Sequence, residues 1–371
     1  MFNRNIYVES NRPTFNAAAR KSQRKKLSME SKQSKSKSNT KSPRKENGEL
    51  LLKRREVHSG RALTVSTVEW SVAEKIAQPT SVLEGFMWDK ETEVDRFRER
   101  VPLPNLLSQC KIAMADPSKP APRDWVSNVK DMVEANNGFA IIPECKRTEV
   151  VKGNLRERYD VAALAQQFVK EGDAKSLSVN CDSVMFGGSL DDIETVRNAC
   201  GESIPILASD LLLYPYQLYK LRLAGADAVY LVAAALEGKD FLYLTKIAKS
   251  LKMQTVISVT SKVQIETLTD LLSPDTVDCL VLSNRDLETF EFDESGKQAI
   301  SLVESEALTR FKKKHGDNML FLVEGQVGVG SLGQEYIETL KKGGINGAIV
   351  GQGLAAINKD NGGDALKYFI T

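Results

Sequence analysis

Histidine is nearly missing from this chain, since only His58 and His315 occur among 371 residues. Neither histidine lies in a loop with the features of an active site, which argues against histidine-based catalytic triads and histidine metal sites. The five cysteines form no CxxC pair, which argues against a zinc site or a disulfide framework and fits a reducing compartment. We therefore expect neither a metal ion nor a cofactor.

Long hydrophobic runs are also missing. No apolar stretch approaches the roughly 20 residues that a helix needs to cross a bilayer, so we expect no membrane span. The net charge of +2 hides an uneven distribution, because residues 1–60 carry 16 Lys and Arg against 5 Asp and Glu, leaving 35 against 44 for residues 61–371. The folded part is therefore acidic, and we do not expect it to bind nucleic acid.

Residues 1–60 show no apolar period and few large side chains, and they are predicted to form a disordered basic tail. The early part is rich in Arg, Lys, Ser and Ala, which is typical of an organelle transit peptide. A solvated basic tail that contacts nucleic acid or a membrane surface has the same composition. Composition leaves both interpretations open.

Residues 61–138 are interpreted as a linker followed by an N-terminal helical extension. From Thr80 onward, apolar residues recur mostly on one helical face, and Pro102 and Pro104 end the pattern.

After residue 138, short apolar runs alternate with amphipathic helical stretches. Strands that are apolar on both faces, each returning through a helix, indicate a parallel sheet covered by helices. Eight such units predict a closed (β/α)₈ barrel, a TIM barrel, over residues 139–371. The rival, a doubly wound open sheet, usually has fewer strands and a Gly-rich first turn, which is missing here. The predicted strands are 139–143, 176–179, 204–208, 228–233, 255–259, 279–282, 320–323 and 347–350.

Glu144 and Lys146 stand two residues apart at the end of the first predicted strand. They share one face because side chains in a strand alternate with period two. In such barrels the chemistry lies at the C-terminal strand ends, so this acid and this base are candidates for proton transfer. Cys145 lies between them and should face the helical layer, where packing is its expected role.

Four segments carry a specific resemblance: "PECKR" (143–147), "LLLYPYQLYKLRLAGADAVYLVAAAL" (211–236), "NRDLETFEFD" (284–293) and "GGINGAIVGQGL" (343–354). Over roughly residues 80–370 the chain resembles the indole-3-glycerol phosphate synthases of tryptophan biosynthesis, above all the plastid-targeted forms of plants and algae. The resemblance implies a TIM barrel with an extra N-terminal helix. It also implies a carbon–carbon lyase that closes an indole ring on 1-(2-carboxyphenylamino)-1-deoxyribulose 5-phosphate with loss of CO₂ and water.

The resemblance assigns roles to retained residues. Glu144 matches a family Glu that helps in proton transfer, and Lys146 matches a Lys that binds substrate and assists dehydration. Arg285 matches an Arg that reaches the substrate phosphate or carboxylate. The implied ligand-binding set is Arg285, Glu324, Gly325, Gly351 and Gln352, with Gly351 in the phosphate loop.

Other positions depart from the family pattern. Ser209 stands where the family has the Lys that acts as general acid, and Ser258 where it has the Glu that acts as general base. Ser283 replaces an Asn, Gly325 replaces a Ser, and Glu149 begins the loop that should read Ser-Pro-Ser. A serine hydroxyl is uncharged and far too weakly acidic to replace a lysine ammonium, and losing one positioned acid–base group typically costs about 10²–10⁴ in rate.

Three hypotheses follow. The first is a diverged barrel with weakened or lost activity that keeps a pocket for a phosphorylated small molecule or binds a protein partner. The second is an active synthase that uses Glu144 and Lys146, with Lys152 or Arg147 replacing the missing lysine. The third is a non-catalytic protein docked through its basic tail. Glu144 and Lys146 could also form a simple ion pair. The tail and the resemblance suggest a plastid location, with the cytoplasm as the alternative.

Overall fold

A computed structural model describes residues 42–54, 78–118, 121–316, 319–325, 327–328 and 332–370. The chain divides into two units, Met1–Ser42 and Pro43–Thr371, and only Ser42 of the first unit is described. The predicted tail up to residue 41 therefore lies outside the described residues. Within the described part, no helix is both long and apolar enough to cross a bilayer.

Eight parallel strands close into a barrel, which confirms the predicted fold. The closure is made by β1, which pairs with β8 from Ala140↔Gly347 to Pro143↔Val350 and with β2 at Glu144↔Ser178. Each of the eight predicted apolar runs forms one strand. The strands are β1 (Ala140–Cys145), β2 (Leu177–Asn180), β3 (Ile206–Ser209), β4 (Ala228–Val232), β5 (Gln254–Val259), β6 (Cys279–Ser283), β7 (Leu320–Glu324) and β8 (Gly347–Val350).

Helices follow each strand and form the outer layer. The connection after β6 contains two helices. Ser305 separates them, because its hydroxyl accepts a hydrogen bond from the Leu308 backbone at 3.2 Å and so starts a new helix. The α-helices are Val161–Gln166, Asp191–Cys200, Pro215–Ala224, Gly238–Ser250, Lys262–Leu271, Lys297–Val303, Glu306–His315, Gln334–Lys342, Gln352–Ile357 and Gly362–Ile370; Gln167–Glu171 continues the first as a π-helix, and Ala233–Ala235 and Pro274–Thr276 are 3₁₀ turns.

The core has two parts separated by the sheet. Strand residues that point outward, including Cys145, pack against the helices, which confirms the expected orientation of Cys145. Strand residues that point inward fill the barrel, and Trp125, Val129 and Met132 join them from a helix, Trp125–Ala135. This helix closes the end of the barrel opposite the candidate site.

The N-terminal extension contains two further helices, Val82–Arg100 and Leu103–Ala115. The first begins at Ser81, whose hydroxyl accepts a hydrogen bond from the Glu84 backbone, and it ends just before Pro102, as predicted. Leu83 and Phe86 of this helix reach the mouth of the barrel.

Residues 43–54 depart from the expectation of a disordered tail. Arg44 and Leu50 form an antiparallel bridge, and the Lys53 carbonyl accepts a hydrogen bond from the Trp88 indole at 2.8 Å. Arg54 pairs with the fully buried carboxylate of Glu91 at 2.6 Å. These contacts fix the segment against the first helix of the extension. No hydrophobic periodicity in residues 43–54 predicts this docking.

Candidate active site

A pocket of about 760 Å³, including its opening to solvent, lies at the carboxyl ends of the strands. This is the end at which parallel barrels carry their active sites. The ten residues that the resemblance assigns to retained, substituted or ligand-binding positions all line it. They are Glu144, Lys146, Ser209, Ser258, Ser283, Arg285, Glu324, Gly325, Gly351 and Gln352.

Two cations in the pocket converge on one carboxylate. Both terminal nitrogens of the Arg285 guanidinium donate to the Glu149 carboxylate, Nη1 to Oε1 at 2.8 Å and Nη2 to Oε2 at 3.3 Å. Lys146 Nζ lies 2.9 Å from the same Oε2 and 3.6 Å from Glu144. The Glu144–Lys146 pair predicted from strand parity is therefore present, but the closer partner of Lys146 is Glu149.

Glu149 is held in place by the first loop of the barrel. It belongs to a short hairpin in which Thr148–Glu149 pairs with Gly153–Asn154, and only 3% of the residue is exposed. Burial alone would raise the pKa of Glu149, but the attraction of Lys146 and Arg285 outweighs it and lowers this pKa to about 2. Glu149 is thus ionised at every pH near neutrality.

One of the substituted serines, Ser283, joins Tyr230 in hydrogen-bonding the Glu324 carboxylate. Ser283 donates its hydroxyl proton to Oε1, and the Tyr230 hydroxyl donates to Oε2 at 2.6 Å. The Ser258 hydroxyl lies beside the Tyr230 hydroxyl. Tyr230 points into the barrel from β4, so its ring fills space near the end of β5.

A third cation, Lys90, lies behind the pocket on the first helix of the extension. Its ammonium contacts Asp182 at 2.6 Å, Asp210 at 2.8 Å and Glu93 at 2.5 Å, and the side chain has no exposed area. Burial acts to lower the pKa of Lys90, yet the three carboxylates raise it well above its usual value. Burial raises the pKa of Asp210 to about 7, because the attraction of Lys90 offsets only part of the desolvation.

Two glycines at the strand ends allow close approaches. Gly325 has φ +126°, and a Cβ there would lie 2.5 Å from the Asn284 side-chain oxygen. At Gly351 a Cβ would lie 2.8 Å from the Glu144 carboxylate. Any other residue at either position would displace its neighbour.

Two amide side chains in the pocket have unused hydrogen-bonding capacity. Gln352 is 5% exposed, and neither its Nε2 nor its Oε1 has a partner among the described residues. Asn180 Nδ2 lies 3.5 Å from Glu144, and its Oδ1 has no partner within the same part of the chain. Buried amides without partners are costly, so these groups are available to a ligand.

No group of three or more His, Cys, Asp or Glu side chains in the described part of the chain is placed to hold a metal ion.

A family model described as indole-3-glycerol phosphate synthase matches residues 83–361, which is most of the chain. The chain belongs to this family. A synthase of this name from Trichodesmium erythraeum is 32% identical over 305 residues, which are 82% of this chain and 94% of the relative. One from Rippkaea orientalis is 37% identical over 229 residues, 62% of this chain and 73% of the relative. One from Microcystis aeruginosa is 37% identical over 239 residues, 64% and 76% respectively.

For this member of the synthase family, the sequence identified the residues at the strand ends but missed several of the contacts that they make. Lys152 and Arg147, the predicted substitutes for the missing lysine, do not line the pocket; Lys152 instead contacts exposed Glu294 at 3.4 Å. Glu149 stood out only as a departure from the family loop. Tyr230 could have been found from strand parity, since it lies two residues after Ala228 and therefore shares its inward face.

Proposed function

We propose that this chain is a diverged barrel of the indole-3-glycerol phosphate synthase family, with ring closure strongly weakened or lost and a pocket kept for a phosphorylated small molecule. The observation that carries the proposal is that Ser209 and Ser258 line the pocket at the ends of β3 and β5. The resemblance assigns the general acid and the general base to these positions. Two hydroxyls at those positions supply neither group.

The neighbouring cations are poor substitutes for the missing acid. Among the described residues that line the pocket, Lys146 is the single lysine, and its ammonium is bound to Glu149. Lys90 is held by three carboxylates, and its raised pKa makes it a weak proton donor. The Lys146 ammonium is therefore occupied by a carboxylate, and the Lys90 ammonium is both inaccessible and too weakly acidic to act as a general acid.

Support for a phosphorylated ligand comes from family membership and from the pocket itself. The unpartnered amide of Gln352 offers a neutral donor beside Gly351, where the family phosphate loop falls by resemblance. Neutral N–H donors can hold a phosphate without a charged side chain. Glu144, whose carboxylate lines the same pocket, then serves to position the ligand.

The decisive experiment measures indole-3-glycerol phosphate formation by the full chain beside the Trichodesmium erythraeum relative. We expect turnover at least about 10³-fold below the relative, because two acid–base groups are replaced. The double variant Ser209→Lys, Ser258→Glu should gain at least about 10²-fold. The matched control Ser209→Met, Ser258→Gln has similar bulk without the charges and should gain nothing. Wild-type turnover within a few-fold of the relative would refute the proposal.

Asp210 supports a second candidate, an active synthase that uses Glu144 and Lys146 with Asp210 as proton donor. Asp210 lines the pocket next to Ser209, and its pKa of about 7 leaves it partly protonated near neutrality. Activity from this source would fall as the pH rises through about 7 and would disappear in Asp210→Asn. Activity that persists in Asp210→Asn would rule this candidate out.

We also propose a plastid location, supported by the basic, Ser-rich composition of residues 1–60 and by the cyanobacterial origin of the relatives. A fluorescent protein fused behind residues 1–60 should enter plastids, and a fusion with the Lys and Arg of this segment changed to Gln should not. Cytoplasmic fluorescence of the first fusion would contradict the proposal.

A further inference from the structure

We infer that Glu149 fills the carboxylate subsite of this pocket, so that the ligand is a phosphomonoester without a carboxylate of its own. The inference rests on the proposed phosphate pocket and adds the chemical class of the molecule that fits it. It concerns which ligand binds and not whether the chain catalyses.

The subsite is defined by where two cations point. The Arg285 guanidinium and the Lys146 ammonium both contact the carboxylate of Glu149. Aromatic faces hold both cations in position: Arg285 Cζ lies 3.8 Å from the Phe292 ring centre, and Lys146 Nζ lies 4.1 Å from that of Phe186. A planar fork beside a second cation is the geometry that binds a carboxylate through both oxygens.

Glu149 already occupies this subsite as part of the chain. The hairpin that carries it fixes its backbone, and its side chain is only 2% exposed. The carboxylate therefore binds without the loss of translational and rotational freedom that a free ligand must overcome. A ligand carboxylate would have to expel Glu149 and leave it buried without a cation, which strongly disfavours the exchange.

The charge of the remaining pocket leads to the same conclusion. The pocket-lining carboxylates are Glu144, Glu149, Asp210 and Glu324, against the cations Lys146 and Arg285. Both cations are already paired with Glu149, so among the described lining residues no cation is left for a second carboxylate. The unpartnered amide of Gln352 remains available to a phosphate. It follows β8, whereas the hairpin that carries Glu149 follows β1.

The substrate and the product of the family reaction differ in one carboxylate. The substrate implied by the resemblance carries a carboxylate on its aryl ring, and the indole product has lost it as CO₂. A pocket whose carboxylate subsite is filled by Glu149 accepts the decarboxylated, product-like aryl phosphomonoester and rejects the substrate. Phe86, Phe290 and Leu211 provide apolar contact for an uncharged ring.

The test compares two ligands that differ by one carboxylate. Binding of 1-(phenylamino)-1-deoxyribulose 5-phosphate and of its 2-carboxyphenyl counterpart to the full chain is measured by calorimetry. We expect the phenyl compound to bind wild type at least about tenfold more tightly. Glu149→Ser should reverse this preference, because it frees both cations, whereas the control Glu157→Gln, at an exposed residue, should keep it.

Each result has a separate meaning. Equal or tighter binding of the carboxylated compound by wild type overturns the inference and leaves the proposed loss of catalysis untouched. Failure of both compounds to bind wild type and Glu149→Ser refutes the phosphate pocket itself, and the inference with it. Continuous heat from turnover of the carboxylated compound refutes the proposed loss of catalysis. Should Glu149→Ser fail to fold, the wild-type ratio alone decides the inference.

Discussion

Lys90 Nζ lies 2.8 Å from Asp210 Oδ1 and thereby joins the helix before the barrel to the end of its third strand. The same ammonium contacts Asp182 at 2.6 Å, so one cation neutralises carboxylates that follow two neighbouring strands. The contact explains how the N-terminal extension is fixed at the mouth of the pocket.

Lys90→Met should destabilise the protein by about 3–5 kcal/mol, because it leaves Asp182 and Asp210 buried without their cation. Denaturant unfolding measures the change. Lys175→Met is the matched control, since Lys175 is exposed and, within the described part of the chain, pairs only with exposed Asp173. It should change stability by less than about 0.5 kcal/mol. Equal effects of the two substitutions would show that the Lys90 cluster contributes no more than a surface pair.

Glu149 should make stability depend on acid pH. Its folded pKa of about 2 lies below the usual value of 4.5, so its contribution is complete above about pH 4.5 and is lost as the pH falls through about 2. The shift corresponds to a contribution on the order of 3 kcal/mol. The free energy of unfolding of wild type and Glu149→Gln should converge as the pH is lowered over this range. A constant difference across the range would contradict the assignment.

Gly325→Ala should cost more than Gly201→Ala. Both glycines have positive φ, but a Cβ at Gly201 meets nothing within 4 Å, whereas at Gly325 it would lie 2.5 Å from Asn284. We expect about 1–3 kcal/mol for Gly325→Ala from strain and clash together. Combining Gly325→Ala with Asn284→Ala should recover the part of the lost stability that is due to the clash. Strict additivity of the two stability changes in this double-mutant cycle would show that there is no clash.

Asp227→Asn should destabilise the fold without changing ligand affinity. Asp227 is fully buried, accepts hydrogen bonds from the backbones of Ile206 at 2.7 Å and Arg123 at 2.9 Å, and pairs with Arg197. It precedes β4, at the end of the barrel opposite the pocket, where residues serve stability. We expect a loss of about 3–5 kcal/mol and an unchanged dissociation constant for the phenyl phosphomonoester. A weakened affinity in folded Asp227→Asn would show coupling between the two ends.

Much of the architecture was encoded locally. The eight apolar runs became the eight strands because a strand that is buried on both faces needs a continuous apolar run. Few other secondary-structure elements need such a short uninterrupted run. Period-two alternation placed Glu144 and Lys146 toward the pocket and Cys145 toward the helices. The ten strand-end residues met because parallel strands in a closed barrel bring their carboxyl ends to one rim.

The tertiary structure alone decided which charges from distant parts of the chain meet. Glu149 and Arg285 are 136 positions apart, and Asp210 receives its cation from a helix outside the barrel. Residues 43–54 likewise dock through Trp88 and Glu91 of that helix. Their own sequence shows no hydrophobic periodicity that predicts this contact. Such contacts depend on how loops close and helices pack over the rim. A local pattern fixes the face on which a side chain lies, but the partner that it finds there is set by the folded chain as a whole.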